Sequence, residues 1–228
     1  MVEVATRRGR RKARERLAAA TAYAEMGWPV CAGAYPLDGA AQLRGGQQPH
    51  GAGRACSCDR VGCPDPGAHP VSPAWQNQAT VDTAVITKWW HDWPDANVLL
   101  VTGRVFDVLD VPAAAGRIAV GAFARWSGQT GPVAACDPDR YLFFVATRGS
   151  PADEDEWWSC HLDCVPGGIT ETPGLRWHCR DSFVLAPPSR QVSGQQAQWI
   201  SAPADGELPD SLPVLPVLVD ACEEADQR

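Results

Sequence analysis

Four soft metal ligands fall within a single short stretch, Cys56-Ser57-Cys58-Asp59-Arg60-Val61-Gly62-Cys63 followed by Pro64-Asp65-Pro66-Gly67-Ala68-His69. Structural Zn²⁺ sites use four tetrahedral N and S donors, and three cysteines with one histidine are a common set. Four protein ligands leave no open coordination position, so the expected chemistry is the ordering of a loop and not catalysis. The competing reading is three free thiols and a surface imidazole, and His50 is an alternative fourth ligand. A looser group, Cys160-His161-Leu162-Asp163-Cys164 with His178-Cys179, is a weaker second candidate, because isolated cysteines are often simply buried. The H-x-E and P-C-x-x-C signature of a zinc deaminase is absent. The chain has nine cysteines, an odd number. With no secretory signal, metal binding is the better reading than disulfides wherever Cys and His cluster.

The metal ligands lie in a stretch, residues 37–73, rich in Gly, Pro, Gln and Cys and without periodicity. A loop of that length in a compact domain needs a staple, a function or disorder to account for it. The elements around it read more clearly. A helix is expected from about Lys12 to Met26 and stopped by Gly27, with a short strand over residues 28–32. A second helix runs from about Asp82 to Trp93, capped by Thr80 or Asp82 and ended by Pro94, with Val85, Ile86, Trp89, Trp90 and Trp93 as its apolar, core-facing stripe. Strands are expected over residues 97–101 and 105–111, joined as a hairpin through Thr102-Gly103-Arg104. A helix over 113–126, strands over 141–145 and 182–186, and a short helix from Val217 to Glu224 after Pro216 complete the pattern. Strands and helices in this order indicate an α+β domain.

The first 16 residues carry a net charge of +5 against −7 for the whole chain, which leaves −12 for the rest. A basic flexible arm over residues 1–16 is compatible with contact to nucleic acid, and equally with a solvated N-terminus from which a helix starts. Residues 17–205 are expected to form the main domain, with the zinc loop at about 50–73, and residues 206–228 a Pro-rich segment with a short helix. No run of 18 apolar residues suggests a membrane span, and Leu17-Ala18-Ala19-Ala20 is too short for a signal-peptide core. The expected compartment is the cytoplasm.

Seven segments in order resemble the N-terminal domain of the bifunctional DNA primase/polymerases, of the archaeo-eukaryotic primase superfamily. They are residues 22–30, the Cys/His loop ending Pro66-Gly67-Ala68-His69-Pro70, Trp75-Gln76-Asn77-Gln78-Ala79-Thr80, residues 89–98, Thr102-Gly103, Val108-Leu109-Asp110-Val111, and Val184-Leu185-Ala186-Pro187-Pro188-Ser189. The order and spacing agree from about residue 17 to 200. The resemblance implies an α+β primase/polymerase-type fold, with an RRM-like mixed or antiparallel sheet flanked by helices and a zinc-stapled loop. It also implies template-directed nucleotidyl transfer with Mg²⁺ or Mn²⁺, and a helicase or other replication protein as partner.

Family members carry two acids as D-x-D on one strand, where alternation puts both on one face to hold two divalent metals against a triphosphate. Here Asp110 matches the first acid, but Pro112 stands at the second. Asp107, three residues earlier, points to the opposite face of a regular strand, and only a bulge would bring both together. The third acid belongs about ten residues before Ala186-Pro187-Pro188-Ser189, where this chain has Arg176. Tyr141 stands where a nucleotide-binding His is expected, in Pro138-Asp139-Arg140-Tyr141. Asp107 and Asp110 are therefore the candidate catalytic acids, or else plain strand-edge charges. Arg140, Tyr141, Arg176, Ser189 and Arg190 are the candidate nucleotide-binding residues, with arginines that are otherwise solvated surface groups. The expected function is a degenerate primase/polymerase-like protein that binds nucleotide or nucleic acid. An active enzyme with a rearranged acid set such as Asp107, Asp110 and Asp181, and a zinc-dependent interaction or redox module, are the alternatives.

Overall fold

The computed structural model describes residues 7–37, 55–58, 60, 63–125, 130–136, 139–147, 172–204 and 206–228. In chain order the elements are α1 (Arg7–Glu25), β1 (Val30–Gly33), α2 (Trp75–Gln78), α3 (Thr83–Asp92), β2 (Asn97–Val101), β3 (Phe106–Pro112), α4 (Ala113–Arg125), β4 (Val133–Cys136), β5 (Arg140–Ala146), β6 (Arg176–His178), β7 (Phe183–Leu185), β8 (Gln198–Ser201) and α5 (Ser211–Asp226). Two sheets result, one ordered β1-β2-β7 and one ordered β6-β3-β5-β4-β8. The chain divides into two compact units, the first Met1–Leu100 with Leu185–Ala197, the second Val101–Val184 with Gln198–Arg228. No helix among the described residues is long and apolar enough to cross a membrane.

In the first unit, Arg16, Ala20, Tyr23 and Ala24 are the buried stripe of α1, the i, i+4, i+7, i+8 pattern of a helix packed on one side. The helix starts at Arg7, five residues before the expected point, and Arg16 is fully buried. Its guanidinium donates to the Pro94 carbonyl and to Asp95 at 2.9 and 2.8 Å. Burial lowers its pKa, against the opposing pull of Asp95. Gly27, at φ 79°, closes α1 in the left-handed region that a glycine adopts without strain. Asp82 caps α3, its carboxylate accepting from the Ala84 and Val85 amides. Only Ile86 and Trp90 of the expected apolar stripe are buried; Trp93 is 48% exposed. Trp93 lies beyond the last helical turn, as the C-cap with φ −128° and ψ 74°, so it leaves the line of the buried Ile86 and Trp90.

In the second unit, β3 and β5 pair without interruption from Phe106↔Ala146 to Pro112↔Arg140. The odd-numbered side of β3, Leu109 and Val111, joins Phe143, Trp177, Phe123 and Leu218 in a core formed with α4 and α5. Each fully buried side chain of this size contributes about 1.5–3 kcal/mol. The expected hairpin of residues 97–111 does not form, because β2 and β3 lie in different sheets. Thr102 is instead held by distant residues: its amide donates to the Ser182 carbonyl at 3.0 Å and its hydroxyl to Cys179 at 2.5 Å. The last helix also differs. It begins at Ser211, capped by Asp210, and runs through Pro216. The amide that Pro216 lacks would have bonded the Leu212 carbonyl, in a turn whose Leu212 side chain is 48% exposed, where water can take its place.

Candidate metal centre and candidate nucleotide face

The chain leaving β1 is the spine of the Cys/His loop. Ala34 N–H donates to the His69 carbonyl at 2.8 Å, Val71 to Ala32 at 3.1 Å, Leu37 to Ala55 at 3.0 Å and Ser57 to Tyr35 at 2.9 Å. Both limbs of the loop are thereby laid against one segment, which carries Cys56 and His69 to the same place. The ligand atoms of Cys56, Cys58, Cys63 and His69 all lie within 4.8 Å of one another. His69 Nε2 is 3.4 Å from both the Cys56 and the Cys63 sulfur. Zinc bonds of about 2.3 Å to sulfur and about 2.0 Å to nitrogen at a tetrahedral angle separate such ligands by about 3.6 Å, so the four residues fit that ion. His69 Nδ1 lies 2.9 Å from the Pro70 carbonyl. A carbonyl only accepts, so Nδ1 carries the proton and Nε2 is left as the ligand.

The thiols differ among themselves. Burial pushes Cys63 up to about 12 and also raises Cys56. Burial pushes Cys58 the same way, but hydrogen bonds from the Arg60 backbone, Cys56, Cys63 and His69 outweigh it and bring Cys58 down to about 7. Two residues that sequence reasoning passed over hold the loop. Gly67, at φ 82°, donates its N–H to Cys56 Sγ at 3.3 Å, and a Cβ there would enter Pro36. Asn97, fully buried on β2, donates from Nδ2 to the Gly67 and Arg190 carbonyls, both at 2.8 Å, and accepts from Arg190 N–H at 2.8 Å. The available signal was an asparagine heading the otherwise apolar Asn97-Val98-Leu99-Leu100-Val101, since a buried amide requires partners.

The acids of β3 behave differently. The unbroken β3–β5 register contains no bulge, so strict alternation applies. Asp107 shares a side with Leu109 and Val111, and Asp110 lies on the other, with Val108 and Pro112. Both are 5% exposed. Asp110 Oδ1 accepts from Arg140 Nε at 2.6 Å, and Oδ2 is 3.4 Å from His178 Nε2. Arg140 is fixed further by the Asp110 and Gly174 carbonyls at 3.0 and 2.7 Å. His178 Nδ1 in turn faces the Ser182 hydroxyl at 3.1 Å. The β3–β6 register sets Asp110 opposite Arg176 and Val108 opposite His178, so Asp110, Arg176 and His178 share one face.

The remaining candidates are elsewhere. Tyr141 is paired with Val111 on the helix-packed side, and its ring fills the space a Cβ on Gly116 would need. Ser189 and Arg190 belong to the first unit. The Ser189 hydroxyl is fully buried, accepting from the Val98 amide at 2.8 Å and donating to the Val98 carbonyl at 3.1 Å. Asp181 is an exposed turn residue, 3.8 Å from Arg180. Cys160, His161 and Cys164 lie outside the described residues. Among the described residues, the Cys56, Cys58, Cys63 and His69 set is the one group of at least three Cys, His or acidic side chains whose ligand atoms converge.

The first unit also contains a pocket of about 520 Å³ lined by Trp75, Trp89, Trp93, Asn77 and Gln78, with Cys31 among its walls. Burial pushes the Cys31 thiol up to about 12. No candidate site residue lines it. The family model for the N-terminal domain of bifunctional DNA primase/polymerases matches residues 20–216. No curated protein sequence matches the chain.

Proposed function

The chain belongs to the bifunctional DNA primase/polymerase N-terminal family, and from that premise we propose that it is a degenerate member, which binds nucleotide or nucleic acid with little or no nucleotidyl transfer. The observation that carries this reading is the state of Asp110. Two-metal transfer needs carboxylates gathered on one face to hold both ions. Here the one acid that matches the family motif is taken up by Arg140 at 2.6 Å and faces His178. Asp107 is on the other side of the strand, and Pro112 and Arg176 occupy the positions of the other two acids. The guanidiniums of Arg140 and Arg176 are suited to phosphate oxygens, which they bind through planar, charge-assisted hydrogen bonds. In this reading the Cys56, Cys58, Cys63 and His69 site holds a structural Zn²⁺ that orders the loop and takes no part in transfer.

The test is primer synthesis and extension on single-stranded template with Mg²⁺ or Mn²⁺, using folded, zinc-loaded protein alongside Asp110→Ala. The expected result is no incorporation by either protein. Incorporation by the wild type that disappears in Asp110→Ala would overturn the degenerate reading in favour of a rearranged acid set.

A further inference from the structure

The charges on the Asp110 face have the wrong sign for metal-assisted phosphate binding. That face presents one carboxylate, two guanidiniums and an imidazole: Asp110, Arg140, Arg176 and His178. With the imidazole neutral, the sum is +1. The carboxylate is 7% exposed in its side chain, and Arg140 is 16% exposed and triply anchored. A divalent cation approaching here would meet fixed positive charge, and would find a single acid already hydrogen-bonded at one oxygen. The divalent metals that the family implies therefore do not fit the described residues of this face. The Arg176 side chain is exposed and makes no hydrogen bond or ion pair among the described residues. It projects from β6 directly opposite the neutralised acid. An uncommitted guanidinium beside a clamped one is a phosphate receptor in its own right.

From this we infer that the face binds the polyphosphate tail of a nucleoside triphosphate directly, without a divalent cation, and that Mg²⁺ weakens the complex. The inference rests on the nucleotide-binding reading above and adds its ligand and its metal dependence. Mg²⁺ on the phosphates cancels two negative charges and covers oxygens that Arg176 and the free edge of Arg140 would contact. A metal ion in a phosphate site is the largest local charge, so the sign of its effect reports which side of the site supplies the positive charge. In an acidic site the ion bridges protein and phosphate; here the protein already supplies the cations.

The test is fluorescence anisotropy with a fluorescent nucleoside triphosphate and the zinc-loaded full chain. It compares buffer depleted of divalent cations, with no chelator so that zinc stays in place, against saturating Mg²⁺. The expected result is binding in the depleted buffer, competition by inorganic tripolyphosphate, and several-fold weaker binding with Mg²⁺. Arg176→Ala, an exposed substitution that leaves the core intact, weakens it about tenfold, and Arg176→Lys retains part of the affinity. Tighter binding with Mg²⁺ overturns the inference while leaving the nucleotide-binding reading standing. Unchanged affinity in Arg176→Ala overturns it by placing the phosphates elsewhere. No binding in either buffer, with zinc content and melting temperature normal, overturns both.

Discussion

The Cys/His loop and strand β3 each carry ligand-type side chains a few residues apart, and only one of them gathers those side chains. Cys56, Cys58, Cys63 and His69 converge to within 4.8 Å because the loop has no repeat to obey and its two limbs are tied to the segment after β1. Asp107 and Asp110 diverge because an unbroken ladder fixes alternation, and a spacing of three on a strand separates faces. Irregular backbone, once anchored, can aim neighbouring side chains at one point. Regular backbone allows this only when the spacing matches its period.

The comparison breaks most visibly at the loop. Cys56→Ser is expected to take bound zinc from about one ion per chain toward none and to lower the melting temperature by roughly 10 °C, since metal binding of this kind is coupled to folding. Elemental analysis and calorimetry read both. Zinc-free wild-type protein that melts at the same temperature as the zinc-loaded wild type would remove the metal from the account. A smaller effect is expected from Asn97→Ala, which strips three hydrogen bonds from buried backbone at Gly67 and Arg190. The cost is about 2–4 kcal/mol, seen in urea unfolding as a lower midpoint at constant slope. A change below about 0.5 kcal/mol would show that the loop is anchored by other groups. The smallest effect comes from giving β3 the spacing it lacks. Pro112→Asp with Arg176→Asp places three acids on the Asp110 side, and weak Mn²⁺ binding is expected to appear in calorimetry, with Kd on the order of millimolar. If no binding appears, the Arg140 clamp alone is enough to keep divalent ions out.

The convergence of Cys56, Cys58, Cys63 and His69 as a candidate metal centre was legible in the sequence, because the four side chains are local and their chemistry is specific to their type. The capping of α3 by Asp82 and the fold class were legible for the same reason: caps and periodicity are short-range signals. The hairpin was misread because Thr102-Gly103-Arg104 has turn composition, while what holds Thr102 are Cys179 and Ser182, about eighty residues away. The Trp89, Trp90 and Trp93 stripe was taken for core, but periodicity shows only that apolar residues share an arc, not how much of that arc is covered. The Arg140 clamp on Asp110 was out of reach, since a thirty-residue separation joins them only through the β3–β5 register.

The position of Arg190 in the chain has a consequence in time. Asn97 makes its bonds to Gly67 and Arg190 with a separation of 93 residues on the Arg190 side. At synthesis rates of about 5–20 residues per second, Arg190 follows Asn97 by roughly 5–20 s. The four metal ligands and Gly67 are complete long before then. On the ribosome the four ligands, and the Asn97 bond to Gly67, can therefore come together before the two Asn97–Arg190 bonds can form.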